Sequence, residues 1–294
     1  MLNLVSDKPL WTSARLGTIQ VEAIHYLQQA GIENPELEVR WLLCDILHID
    51  RTALFLESSQ ILSATHIEAI THIMMQRAHR VPVARILGER EFWGLSFGLN
   101  EATLEPRPDS ETLIETTLHL IQDKDASLRL LDLGTGSGCL LLALLHNLPH
   151  ATGLGIDIAD RALDQARTNA AQLHLAERAT FKINHWVENL TEKFDIILSN
   201  PPYIPSKDIP FLMPEVRDHD PLIALDGGHD GLVIYRELIP CLPALLKPHG
   251  KTVLEVGHDQ AEHVASLMAK LYQSVTITKD LNGLDRCVVG INPI

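Results

Sequence analysis

Residues 130–138 read Leu130-Leu131-Asp132-Leu133-Gly134-Thr135-Gly136-Ser137-Gly138, an apolar run that ends in three glycines at alternate positions. The run over 128–133 has the length and composition of a buried strand, and residues 139–147 beyond the glycines have those of a helix. Glycines here let the chain turn sharply and let a ligand approach the backbone with no Cβ in the way. On its own such a loop can also serve only as a tight strand-to-helix turn. Working outward, the alternation continues, with strands over 152–158, near Phe181 and over 194–198, 251–256, 275–278 and 286–291, and helices over 161–174, 231–246 and 260–271. Strands alternating with helices predict an α/β domain built on a mostly parallel seven-stranded sheet with covering helices.

Asp157 ends the strand after the glycine loop, 19 residues beyond Gly138, close to the spacing at which a carboxylate meets a ribose diol. Loop and carboxylate together predict an adenosine site. A nicotinamide dinucleotide would call for G-x-G-x-x-G and a helix N-terminus aimed at pyrophosphate. G-x-G-x-G preceded by Asp132 suits a cationic, phosphate-free cofactor with an α-amino group, S-adenosyl-L-methionine. The spacing resembles the first motif of the class I, Rossmann-like S-adenosylmethionine-dependent methyltransferases.

The second informative stretch is Asn200-Pro201-Pro202-Tyr203, directly after the strand over 194–198 and therefore at the carboxyl end of the sheet, where open α/β folds bind ligands. Two prolines remove two backbone donors and fix the local path, so that nearby carbonyls can point outward as acceptors, and Asn200 adds a side-chain carbonyl. An amide or aniline-like nitrogen has a delocalised lone pair. Two converging acceptors would hold its NH2 and favour the tetrahedral geometry needed to attack a methyl, while Tyr203 stacks on the planar group. A rigid surface turn with a buried tyrosine is the alternative for these four residues taken alone.

Residues 1–85 read as a small helical bundle, with start signals at Thr12 and Ser13, at Asn34-Pro35 and at Ser63. In its second helix Leu37, Trp41, Cys44 and Leu47 share one face and are expected to pack in the core. Residues 86–106, with Glu91-Phe92-Trp93-Gly94-Leu95-Ser96-Phe97-Gly98, predict a hairpin-like connector, and residues 107–294 form the remaining domain. Pro106-Arg107-Pro108 forces extended backbone, after which Asp109 or Ser110 can cap a helix to about Gln122.

The 294 residues are 46% hydrophobic and 21% charged, which excludes a disordered or collagen-like chain. A net charge of −14 disfavours broad phosphate-driven contact with nucleic acid, so none is expected. No apolar run approaches the roughly 18 residues of a membrane span, and Met1 to Leu10 lacks the pattern of a secretory leader. A cytoplasmic protein with no membrane partner is expected. Cys44, Cys139, Cys241 and Cys287 are scattered and expected to stay reduced. His258 and His263 lie five apart and no H-E-x-x-H occurs, so no metal site is expected.

Taken together these stretches resemble the HemK/PrmC family over nearly the whole chain. The resemblance is carried by Asp132 to Gly138 and Asn200 to Tyr203, and also by Arg90 to Leu95, Pro106 to Glu111, Asp220-Pro221-Leu222, Ala224 to Gly228, Asp230-Gly231-Leu232 and Asp285-Arg286. It implies methylation of the N5 side-chain nitrogen of the glutamine in the Gly-Gly-Gln motif of class-1 peptide chain release factors. It also implies cofactor contacts from Gly134, Thr135, Gly136, Ser137, Gly138, Asp157, Trp186 beside the adenine, and Asn200. Catalytic and glutamine contacts would come from Asn200, Pro201, Pro202 and Tyr203, with the helical leader docking the release factor. Glu105 departs from the family pattern, which has an apolar residue there. Arg107 and Glu111 could pair with each other or order the cofactor's amino-acid end. The rival reading is an N6-adenine DNA methyltransferase, whose target amine has the same delocalised lone pair and which would require base flipping.

Overall fold

The computed structural model describes residues 10–294. Residues 1–9, on which the start of the helical domain and most of the leader reading fall, lie outside the described residues. The chain divides between Gly88 and Glu89 into two compact units.

The first unit holds α1 (Leu16–Gln29), α2 (Pro35–Leu47), α3 (Arg51–Leu56), α4 (Ala64–Ala78) and α5 (Val83–Leu87). Ser63 caps α4, its hydroxyl accepting from His66 N at 3.2 Å, and Pro35 opens α2, where a missing N–H costs nothing. The core is built from Leu16, Ile19, Ala23 and Leu27 of α1, Val39, Leu42 and Leu43 of α2, and Ile70 and Met74 of α4. The expected face of α2 holds in part. Cys44 and Leu47 are half-buried and pack against this core, whereas Leu37 is exposed and Trp41 is only half-buried, because α2 is apolar over most of its circumference and the inward stripe is the one centred on Val39, Leu42 and Leu43.

The second unit opens with a hairpin, β1 (Glu89–Phe92) and β2 (Leu95–Gly98), followed by α6 (Glu111–Leu120). Then come β3 (Arg129–Leu133), α7 (Cys139–Asn147), β4 (Thr152–Asp157), α8 (Asp160–Gln172), β5 (Ala179–Ile183) and β6 (Phe194–Ser199). The rest is α9 (Pro214–Arg217), α10 (Val233–Leu238), β7 (Leu246–Glu255), α11 (Ala261–Met268), β8 (Tyr272–Lys279) and β9 (Asp285–Pro293). The seven-stranded sheet runs β5-β4-β3-β6-β7-β9-β8. Only β9 is reversed relative to its neighbours.

Side chains of one strand alternate between the sheet's two faces, and each face is buried. Leu130, Ile196, Leu198 and Val253 enter a core with α6, α7 and α8, while Leu131, Ile197 and Leu254 enter another with α10 and α11. The chain starts at central β3, winds outward to β5, then returns to β6 on the other side of β3. The order thus reverses between β3 and β6, where such sheets open a crevice at their carboxyl ends.

Two further expectations change. The helix over 231–246 is α only to Leu238 and continues as a 3-10 turn from Ile239 to Leu245, since Pro240 and Pro243 cannot donate to an α ladder. Ser110 does not cap α6, its side chain being engaged elsewhere.

Candidate active site

The glycine loop leaves β3 with Gly134, Gly136 and Gly138 all in the left-handed region, at φ of 72°, 53° and 80°. Residues with a Cβ are strained there, so the path is one that glycine alone takes freely. Gly134 N and Thr135 N both donate to Ile156 O at 2.8 Å, tying the loop to β4. Gly136 N donates to Asp157 Oδ2 at 2.8 Å, and the other carboxylate oxygen accepts from Ala159 N at 2.9 Å. Asn169 of α8 is fully buried. Its Nδ2 donates to Ser137 O at 2.9 Å, and its Oδ1 accepts from Gly98 N at 2.9 Å, joining the loop to the hairpin. An interior asparagine in a polar helix gives no signal in one sequence that it would do this.

The loop opens on a cleft of about 710 Å3 lined by Gly134, Gly136, Asp157, Trp186, Asn200 and Pro202 among others. Six sequence-selected residues are thus brought together, from the carboxyl ends of β3, β4 and β6 and from the segment after β5. The remaining five lie behind the wall. Thr135 and Ser137 are buried, Gly138 packs against Ala166 and Leu142, and Pro201 is buried. Tyr203 is half-buried against the core with α10 and α11 and is not among the residues that line the cleft. Instead, its carbonyl accepts from Gln260 Nε2 at 2.8 Å, which fixes the end of the tetrad.

Asp132 lies beneath the loop, fully buried. Burial pushes its carboxyl up to about 7, opposed by the Thr135 hydroxyl, which donates to Oδ2 at 2.6 Å, and reinforced by the charge of Asp157. Its Oδ1 has no partner. Among the described residues no lysine or arginine lines the cleft. The carboxyls of Asp157 and Asp226 in the lining, that of Asp132 beneath, a glycine edge and no lysine or arginine fit a positively charged adenosine ligand and would repel a pyrophosphate.

The wall across from the loop is the tetrad. Asn200 Nδ2 donates to Ser110 Oγ at 3.1 Å. Arg107 pairs with Asp220 and not with Glu111, whose Oε1 accepts from Trp93 N at 2.9 Å in the hairpin turn. Glu105 is buried and faces Arg90 across 3.5 Å, so an acid where the resemblance implies an apolar residue is neutralised by a nearby guanidinium. Arg286 is shared between Asp109 at 2.9 Å and Asp280 at 3.1 Å. These pairings join segments far apart in the chain, Asp109 to Arg286 and Arg107 to Asp220.

Residues 18–88 match the PrmC N-terminal domain and residues 109–213 the methyltransferase small domain. The chain is 45% identical to a release factor glutamine methyltransferase of Bradyrhizobium diazoefficiens, over 89% of this chain and 90% of that one. The chain belongs to the release factor glutamine methyltransferase family. A relative of the same name from Rhodospirillum rubrum is 44% identical over 94% of this chain and 84% of its own. The crystal structure of a methyltransferase from Pyrococcus furiosus, 16% identical, covers 76% of this chain and 98% of its own at a TM-score of 0.50, a likeness of fold. Within this family of methyltransferases the fold is the expected α/β one, with a helical unit ahead of it, and the methyl donor is S-adenosylmethionine. No helix of the described residues is long and apolar enough to cross a membrane.

Proposed function

We propose that this protein methylates the side-chain amide nitrogen, N5, of the Gly-Gly-Gln glutamine in class-1 peptide chain release factors. Its relatives are named for release factor glutamine methylation, and the observation that carries the reading to this chain is the meeting of two sets of residues. Asn200 and Pro202 line the same cleft as Gly134, Gly136 and Asp157. S-adenosylmethionine, when bound, supplies an electrophilic methyl on a sulfonium, whose departure as a neutral thioether needs no acid. The backbone of Gly134 to Gly138 would hold it, with Asp157 accepting from the ribose hydroxyls and Trp186, which stands 3.5 Å from where a Gly134 Cβ would sit, flanking the adenine. Asp132, ionised, offsets positive charge from below.

Asn200 commits its NH2 to Ser110, which leaves Oδ1 as an acceptor. With a carbonyl of the Pro201-Pro202 segment it would grip the NH2 of the glutamine, hold the nitrogen in line and favour its rehybridisation. Orientation of this kind contributes on the order of 7–11 kcal/mol. The surplus proton leaves the nitrogen after the new bond forms, so no strong base is required beforehand. Tyr203, set back from the cleft, acts through the backbone of the tetrad.

The helical unit would dock the release factor. Phe55, Leu56 and Ile61 are exposed on it, a set of apolar side chains that suits a protein partner better than nucleic acid. The experiment is incubation with labelled cofactor, a class-1 release factor and adenine-containing DNA in parallel, with mass mapping of the methyl group. Label on the glutamine is expected; label on adenine would overturn the reading. Asn200→Ala should leave cofactor affinity within a few-fold and lower turnover by about a hundredfold or more, and near-normal turnover would remove Asn200 from the chemistry.

A further inference from the structure

An asparagine carboxamide serves as an acceptor toward the cleft only if it is held one way round, since turned over it presents its NH2. Asn200 follows β6 and Glu255 ends β7. The parallel register pairs Ser199 with Leu254, so Asn200 and Glu255 emerge side by side one step further on. Glu255 is 1% exposed, its main-chain carbonyl accepts from Tyr235 Oη at 2.6 Å, and its Oε2 has no hydrogen-bond partner. Ser110, 3% exposed, takes the Asn200 Nδ2 at 3.1 Å instead of capping its own helix. The guanidinium whose charge acts on it, that of Arg286, is already shared by Asp109 and Asp280. A buried carboxyl without its own cation is costly, and the fold retains one directly beside the residue whose orientation the proposed chemistry needs.

We infer that Glu255, together with Ser110, is the positioning residue that holds the Asn200 carboxamide with its nitrogen inward and Oδ1 toward the cleft; the inference rests on the function proposed above. A carboxylate only accepts, so it can face only the NH2 end of Asn200 and the Ser110 hydroxyl. A protonated carboxyl also donates, can satisfy Oδ1, and so permits the turned-over amide. Burial pushes the Glu255 carboxyl up to about 7; hydrogen bonds from Ser110 and Asn200 and the charge of Arg286 oppose this, and Asp109 adds to it. The other titratable neighbours are Tyr203, Tyr235, Cys287 and Cys139, all neutral near that pH because burial raises each of them. Turnover limited by this orientation therefore rises with pH through about 7, as the carboxyl ionises.

The test uses the full chain, a release factor and saturating S-adenosylmethionine, so that titration of Asp132 is held in the bound state, and reads kcat and KM from pH 5.5 to 8.5 beside cofactor Kd by calorimetry. The wild type is expected to show the rise. Glu255→Gln, whose amide can face Asn200 with either end, should lose the rise and fall about 10- to 100-fold in kcat at pH 8, with cofactor Kd within about threefold. Ser110→Ala should keep the rise at a kcat lowered about tenfold. A Glu255→Gln enzyme with the wild-type profile, or one whose cofactor binding falls as far as its kcat, overturns the inference. If Glu255→Gln does not fold, Ser110→Ala decides alone, and wild-type kcat there overturns it equally. A wild-type enzyme that leaves every release factor unmethylated defeats the underlying function instead, and is told apart because no variant is needed to see it.

Discussion

Replacing Asp157 by asparagine changes one atom of a side chain, yet in this cleft neither orientation of the new amide fits. Asp157 Oδ2 accepts from Gly136 N at 2.8 Å and Oδ1 from Ala159 N at 2.9 Å, so both oxygens face backbone N–H groups. An asparagine has one accepting oxygen, and whichever way it turns its NH2 meets an N–H. One charge-assisted bond worth about 1.5–3 kcal/mol is lost, and the charge that would receive the ribose hydroxyls goes with it. At about 1.4 kcal/mol per decade, Kd for the cofactor rises roughly 10- to 100-fold. Calorimetric titration with S-adenosylhomocysteine measures this directly, and its 2′,3′-dideoxy analogue completes a cycle. Losing the hydroxyls should weaken binding to the wild type and matter much less to Asp157→Asn, a coupling of about 1 kcal/mol or more. Kd within threefold of the wild type, or the same penalty for the analogue in both proteins, would refute the ribose assignment.

A Cβ on Gly227 would lie 2.7 Å from Tyr203 Cα and 2.8 Å from Pro202 O, both backbone, so Gly227→Ala must displace the tetrad. Turnover should fall by about 10- to 100-fold while cofactor Kd, set mainly by the opposite wall, moves far less; equal losses in both would show a general collapse of the cleft. Asp132 and Glu255 both have folded-state values near 7, above their unfolded ones, so the folded protein holds two protons that the unfolded chain releases. Their contribution to stability is present below about pH 4 and is lost as pH rises to 7, on the order of a few kcal/mol per group. Urea unfolding at pH 5.5 and 7.5 should show a smaller fall for Asp132→Asn than for the wild type, and an equal fall would contradict the burial argument. Removing the helical unit should abolish methylation of an intact release factor while sparing cofactor binding, measured by turnover and calorimetry; undiminished turnover would defeat the docking role.

What one sequence shows of this site follows from which interactions are local. The glycine loop, its strand and its helix lie within 20 residues of one another and carry their own signals, and Asp157 is tied to them by the fixed length of a strand–loop–helix–strand unit. The tetrad is local too, so its place at a strand end is readable. Where tertiary packing decides, local reading fails. The helix α2 offers two plausible apolar stripes, and only the positions of α1 and α4 select Val39, Leu42 and Leu43 over Leu37 and Trp41. Ser110 has the residue type and position of a helix cap, but a partner 90 residues away takes its hydroxyl.

Glu255 is the furthest case. Nothing within its own strand distinguishes it from a surface acid at a strand end, because its neighbours are fixed by register with β6 on one side and β9 on the other. The same register explains why such a residue can position Asn200 at all. Side chains one step beyond paired positions on adjacent parallel strands are held a single strand spacing apart by the sheet, with no flexible loop between them. A carboxyl supported in this way exerts its preference on the amide without any movement of its own. The sheet that buries two cores thus also sets the orientation of the group facing the cleft, and a substitution that loosens β7 should disturb Asn200 before it disturbs the glycine loop, which is anchored to β3 and β4.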